Sequence, residues 1–262
     1  MYWKMAALML AISLAASAIG FKKYVWFISL GYGRSIAAEG LGMLAVFRGG
    51  LSAGTALLCA LLVLYGCRLA GYLAWRERKS TYSRNMKGEI REDVPLGVKF
   101  AIWISSALLY TAQVQPVLAR LANGKGSSAL SFVGAAAALA GLVLESAADL
   151  QKNAAKKKNP GRFVDTGLYR LVRCPNYLGE MLFWTGILLS GLDALTGAQW
   201  IFALLGYAGI VFVMFSGARR LELRQNRRYG ADPVYQAYVR SVPILLPFVP
   251  LYSVEKYKWL VA

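Results

Sequence analysis

Long apolar runs alternate along the chain with short, mostly basic connections. Leu51 to Trp75 carries one charge, and neither Phe100 to Leu118 nor Gly126 to Leu144 carries any. A helix crosses a bilayer with about 20 predominantly apolar residues. The pattern therefore predicts an all-α integral membrane protein with about seven transmembrane helices, at 5–20, 24–47, 51–75, 98–119, 128–150, 178–192 and 198–216. The first run also has the layout of a secretory signal, with Lys4, an apolar stretch and Ala15-Ala16-Ser17-Ala18. Keeping it as a span fits the distribution of charge better.

That distribution gives an orientation. Twenty-four of the 30 lysines and arginines follow spans one, three, five and seven, in loops of one parity. Basic loops stay cytoplasmic, so the N-terminus is expected outside and the C-terminus in the cytosol. The net charge of +17 then reflects loops beside anionic headgroups. No segment is long and polar enough to form a nucleic-acid-binding domain, and no nucleic-acid partner is expected.

Without internal repeats or low-complexity linkers, residues 1–262 read as a single membrane domain. Ser80 to Pro95 reads as a polar cytosolic loop. Glu145, Asp149, Lys152 and Lys156 recur at helical spacing and share one face. Asn159-Pro160-Gly161 then ends the helix, because proline has no amide donor and restricts the residue before it. Pro175 sits where a helix would begin again. The stretch TGLYRLVRCPNYLGEMLFW, residues 166–184, is therefore a cytosolic loop that turns into a membrane helix.

The chain contains no histidine, which excludes histidine-ligated zinc or haem and any Ser-His or Cys-His nucleophile. Cys59, Cys67 and Cys174 have no metal or redox spacing, and no metal site is expected. Ionisable residues inside spans are costly and mark functional positions or packing ion pairs. Those here are Arg34, Glu39, Arg68, Glu145, Asp149 and Glu180. Arg34 and Arg68 can snorkel. Glu39 lies among small residues, and a carboxylic acid kept neutral by an apolar site can donate a hydrogen bond to a substrate oxygen. Asn176 and Glu180 stand one turn apart and offer an amide and a carboxylate on one face, suited to a nicotinamide amide or to another nucleotide. Lys156, Arg162, Arg170, Arg173 and Arg219 form a basic rim that either binds phosphates or simply follows the topology rule.

These residues carry a resemblance. Glu145 with Asp149, Gly161-Arg162, Thr166 to Arg170, Arg173 to Glu180, Tyr235-Gln236-Ala237-Tyr238 and Val242 to Phe248 resemble the steroid 5α-reductase family, particularly its bacterial branch. The likeness covers about the C-terminal half and extends faintly to Tyr65-Gly66-Cys67-Arg68, which matches a Tyr-x-x-Arg in the family's third span. It implies a seven-helix fold binding NADPH in a cavity open to the cytosol. It also implies hydride transfer to the β-carbon of an enone lipid, such as the Δ4 bond of a 3-oxo-steroid. Carried over by position, Asn176, Tyr177 and Glu180 hold the nicotinamide end, and Glu145 and Asp149 face the cofactor. Lys156, Arg162, Arg219 and Tyr238 complete its site, while Glu39 and Tyr65 polarise the substrate ketone. Residues 1–125 would then supply the substrate-cavity helices and 126–262 the NADPH-binding part, in a monomer of the bacterial cytoplasmic membrane that meets membrane lipid and a steroid- or sterol-like substrate.

Two departures stand out. Glu145 replaces an asparagine, and Cys174 stands where many bacterial relatives have histidine. An S-adenosylmethionine-dependent methyltransferase of the isoprenylcysteine carboxyl type shares part of the Arg-His-Pro-x-Tyr-x-Gly pattern and is the alternative. A lipid-binding or transport protein would account for the spans but not for Asn176 and Glu180.

Overall fold

Alanine- and leucine-rich runs are strong helix formers, and in the computed structural model, which describes residues 1–77 and 94–260, they are helical throughout. The helices are α1 (Tyr2–Ser17), α2 (Leu30–Val46), α3 (Ala53–Glu77), α4 (Leu96–Gln113), α5 (Gln115–Ala122), α6 (Ala129–Lys158), α7 (Pro175–Gly191), α8 (Gln199–Tyr229) and α9 (Pro233–Ser241). No strand occurs among the described residues. Of the polar loop expected at Ser80–Pro95, all but the last two residues lie outside the described residues.

Among the described residues, four helical segments are long and apolar enough to cross a membrane: Tyr2–Phe21, Ala53–Glu77, Ala129–Lys158 and Gln199–Tyr229. They mark a membrane protein in contact with lipid. The other three expected spans fall on shorter elements. Residues 24–47 divide into a 3-10 turn at Tyr24–Phe27 and the 17-residue α2. The expected span 98–119 is not one helix. Pro116 lacks the donor that would continue the ladder, so α4 stops at Gln113 and Pro116 enters the first turn of α5. The span at 178–192 is α7, 17 residues that begin at Pro175.

α6 and α8 run well past their apolar parts. At 30 residues, α6 is about 45 Å long, against roughly 30 Å of hydrocarbon. Ser128 and Ser131 cap its start reciprocally, each hydroxyl accepting from the other's backbone amide at 3.2 and 2.9 Å. Lys156, Lys157 and Lys158 complement the dipole at its end.

The chain forms two compact units, Met1–Ala135 with Ile187–Tyr207, and Ala136–Gly186 with Ala208–Ala262. In the first, α2 packs on α1 and α3. Its tightest point joins Gly33 of α2 and Gly66 of α3: a Cβ on Gly66 would come within 2.3 Å of the Gly33 carbonyl, and one on Gly33 within 2.7 Å of the Gly66 carbonyl. Arg120 is buried but fully engaged. Its guanidinium donates to the carbonyls of Ser190 at 2.9 Å and Gly126 at 2.5 Å, to Ser128 Oγ at 3.0 Å, and to the Asp193 carboxylate.

The second unit has a matching crossing. A Cβ on Gly141 of α6 would lie 2.3 Å from the Phe183 amide nitrogen of α7, and one on Gly179 would lie 2.6 Å from the Glu145 amide nitrogen. Only glycine allows backbones this close. In the loop before α7 Arg173 is buried and bonds Glu222 Oε1 at 2.8 Å and the Tyr252 carbonyl. Glu222 Oε2 in turn accepts from the Val254 amide at 2.9 Å. The backbone amides of Arg173 and Cys174 donate to Pro243 and Ile244, at 2.9 and 3.0 Å. One ion pair thus ties the loop before α7, α8 and the C-terminal segment together.

Replacing Gly179 with valine should cost about 3 kcal/mol, since the new carbons meet backbone that cannot yield. Gly71→Ala, where nothing lies within 4 Å, should stabilise by about 0.5–1 kcal/mol. Thermal unfolding in detergent, followed by circular dichroism, measures both.

Candidate functional site

In the first unit α2 presents Tyr32 and Glu39 two turns apart on one face. The Gly33–Gly66 crossing brings Tyr65, the residue before Gly66, to Tyr32, the residue before Gly33. Tyr65 donates its hydroxyl to Tyr32 Oη at 3.2 Å, and Gln113 Nε2 donates to the same oxygen at 3.3 Å. Tyr110 stacks on Tyr32, with centroids 4.8 Å apart, and donates to the Phe27 carbonyl at 2.9 Å. Glu39 is fully buried, and its Oε1 accepts from Thr111 Oγ1 at 2.7 Å. Glu39 Oε2 and Gln113 Oε1 are buried and have no hydrogen-bond partner among the described residues. An orphaned buried polar atom costs about 1–3 kcal/mol, and a polar ligand atom arriving there would remove that cost.

Glu39 and Tyr65, expected to act as a pair, are therefore both in the core of this unit, but each is held by another residue. Tyr32, Thr111 and Gln113 are additional polar residues of the site. The sequence carried one signal for them: Tyr32-Gly33 repeats the dipeptide Tyr65-Gly66, and Thr111 and Gln113 interrupt an otherwise apolar run.

In the second unit the Gly141–Gly179 crossing sets the site. It presses the Glu145 backbone against Gly179, whose neighbour is Glu180. Glu145, Asp149 and Glu180 are all buried, at 4, 8 and 6% exposure, and all three are engaged in interactions within the protein. Asn176, on the first turn of α7, is half-buried, and none of the described residues hydrogen-bonds its amide. Tyr177 packs against α8, where a Cβ on Gly217 would lie 3.3 Å from its ring and hydroxyl.

The basic rim divides into structural and exposed cations. Lys156 donates to the Arg162 carbonyl at 2.5 Å and to Tyr229 Oη at 3.1 Å, clasping the end of α6. Arg219 holds the C-terminal segment through the carbonyls of Glu255 and Leu260, at 3.0 and 2.9 Å. Arg173 lies inside the fold. Arg162 is exposed and pairs with Asp165 at 2.7 Å. Tyr238 donates to the Tyr169 carbonyl at 2.7 Å and stacks on Phe163, and burial pushes its phenol above the usual range. Arg220 and Arg224, which the sequence reading left out, are exposed one turn apart on α8 and lie within electrostatic reach of Tyr177, as does Glu180. Spacing from α7 could not reveal them, because they reach it through the α7 and α8 packing.

Cys174 is buried, and burial pushes its thiol up to about 12. The thiolate is the reactive form, so this residue should resist maleimide from neutral pH to about pH 10 and become reactive only on unfolding. Mass spectrometry of peptides labelled before and after denaturation checks this, and labelling of Cys174 in folded protein at neutral pH would contradict it.

Neither the curated proteins nor the solved structures yield a significant match to this chain. One family matches residues 20–242, spanning both units and nearly all the residues described above, and by that match the chain belongs to the DUF1295 family, described as proteins of unknown function.

Proposed function

We propose that this protein is an NADPH-dependent reductase of the carbon–carbon double bond of an enone lipid, of which a 3-oxo-steroid with a Δ4 bond is the leading example. It acts as a monomer in a bacterial cytoplasmic membrane, with seven spans, the N-terminus outside and the C-terminus in the cytosol. The parity of the basic loops supports that orientation. The relation of its family to membrane proteins like steroid 5α-reductase and isoprenylcysteine methyltransferase supports the reaction class.

The observation that carries the reading is the pairing of half-buried Asn176 with buried Glu180 on α7. An amide and a carboxylate one turn apart match a carboxamide, which needs one donor and one acceptor. Arg220 and Arg224 suit the phosphates of the same dinucleotide, since guanidinium groups bind them bidentately. The residues present thus fit the cofactor. Bound NADPH supplies the hydride.

Glu39 and Tyr65 do the work on the substrate. In this reading Glu39 is protonated and donates from Oε2, which has no hydrogen-bond partner among the described residues, to the substrate carbonyl oxygen, and the Tyr65 hydroxyl is the second donor. Together they draw electron density from the conjugated alkene, so that negative charge developing on the oxygen is stabilised, the β-carbon accepts hydride and the α-carbon of the resulting enolate takes a proton from water. Tyr65 exchanges its bond to Tyr32 Oη, which also accepts from Gln113, for one to the substrate oxygen.

NADPH at a hundredfold excess over its dissociation constant should stabilise the purified protein by about 2.7 kcal/mol, and S-adenosylmethionine should not; the reverse would establish the methyltransferase alternative. Arg220→Ala and Arg224→Ala should each weaken NADPH binding by about tenfold. Glu39→Gln and Tyr65→Phe should each lower turnover of an enone steroid by about 100-fold or more while leaving NADPH stabilisation intact. Full turnover by both variants would remove them from the mechanism.

A further inference from the structure

The last residues of the chain descend along α8 in a measurable way. Asn226 donates to Glu255 Oε2 at 2.8 Å, Glu222 accepts from the Val254 amide at 2.9 Å, and Arg219 holds the carbonyls of Glu255 and Leu260. Further along, the Trp259 ring stacks on Phe212, with centroids 6.2 Å apart and planes 27° apart. From Asn226 to Phe212 is about 21 Å of helix. Along that length α8 passes from an arginine-rich end into its apolar stretch, and Arg219 marks the change.

Trp259 is 67% exposed and Phe212 40% exposed. Phe212 belongs to the exposed face of a helix apolar enough to cross a membrane, and on such a helix exposed large apolar side chains face lipid. A tryptophan stacked on that face, one turn or more to the apolar side of Arg219, sits where indole rings collect at a bilayer boundary. Lys256 and Lys258 precede it, both exposed. Lys256 also lies over the Tyr257 ring at 5.2 Å, and long cationic side chains reach from an apolar base to headgroups.

We propose that the segment Glu255–Leu260 is a lipid-binding strap lying in the bilayer interface, with Trp259 at the boundary of headgroups and acyl chains and Lys256 and Lys258 on anionic phospholipid headgroups. The occupant is the surface of the membrane that holds α8. Continuity with that helix's lipid face and the positive charge of the strap both select it. This inference is independent of the proposed reaction.

The test uses the full chain in vesicles of phosphatidylcholine, alone or with roughly 30% phosphatidylglycerol. The fluorescence of wild type minus that of Trp259→Phe isolates Trp259. That difference signal should be blue-shifted, shielded from acrylamide, and quenched about twofold by lipids brominated near the headgroup. Quenching should increase on adding phosphatidylglycerol, and Lys256→Gln with Lys258→Gln should abolish the increase. A nitroxide on Lys258→Cys, in a Cys67→Ser background, reports accessibility without changing an aromatic residue and, at headgroup depth, should meet a water-soluble nickel chelate less often than a nitroxide on exposed Arg228→Cys. A red-shifted Trp259 signal open to acrylamide, a Lys258→Cys nitroxide as open to the nickel chelate as one on Arg228→Cys, or an anionic-lipid response retained by the double variant would overturn the proposal.

Discussion

Contact between bare helix backbones at paired glycines governs the placement of almost every polar residue of interest. Apolar helices in an apolar solvent gain little from burying side chains against one another, and association rests on close packing and hydrogen bonds. Gly33 with Gly66, and Gly141 with Gly179, supply that closeness. Each pair also fixes the register of its neighbours. Tyr32 and Tyr65 precede the first pair and meet through their hydroxyls; Glu180 follows Gly179, and the backbone of Glu145 rests on that same glycine. The chemistry of each unit thus depends on a side chain that is absent.

Polar groups within the fold differ in how completely they are satisfied. Arg120 makes bonds from all three nitrogens, and the Arg173–Glu222 pair has backbone partners on both sides, although Arg173 Nε has no hydrogen-bond partner among the described residues. A buried pair destabilises by about 3–5 kcal/mol when one member is removed, which suits residues that hold segments together. In Glu39 one oxygen accepts from Thr111 Oγ1, and the other has no hydrogen-bond partner among the described residues.

Much of this was legible because local rules were obeyed. The apolar runs became helices, Asn159-Pro160 ended α6 and Pro175 opened α7. The even face of Glu145, Asp149, Lys152 and Lys156 belongs to one continuous helix. The break at Pro116 was also written in the sequence, but the apolar run around it masked the missing amide. What no local rule could supply were partners set by packing. Lys156 and Arg219, expected at phosphates, bond Tyr229 and backbone carbonyls within the fold. Arg173 finds Glu222 forty-nine residues away, and Arg220 and Arg224 become candidates only once α8 lies beside Tyr177.

Hydride delivery from a nicotinamide cofactor to an enone leaves its trace in the product. It is read by isotope transfer with the purified protein in lipid nanodiscs, using NADPH deuterated at the transferable position and a 3-oxo-Δ4-steroid, with the product analysed by mass spectrometry and NMR. The saturated ketone should carry a single deuterium at the β-carbon, formed about 100-fold more slowly when Glu39 is replaced by glutamine. Unlabelled substrate recovered intact, together with methyl transfer from S-adenosylmethionine to a lipid acceptor, would contradict it.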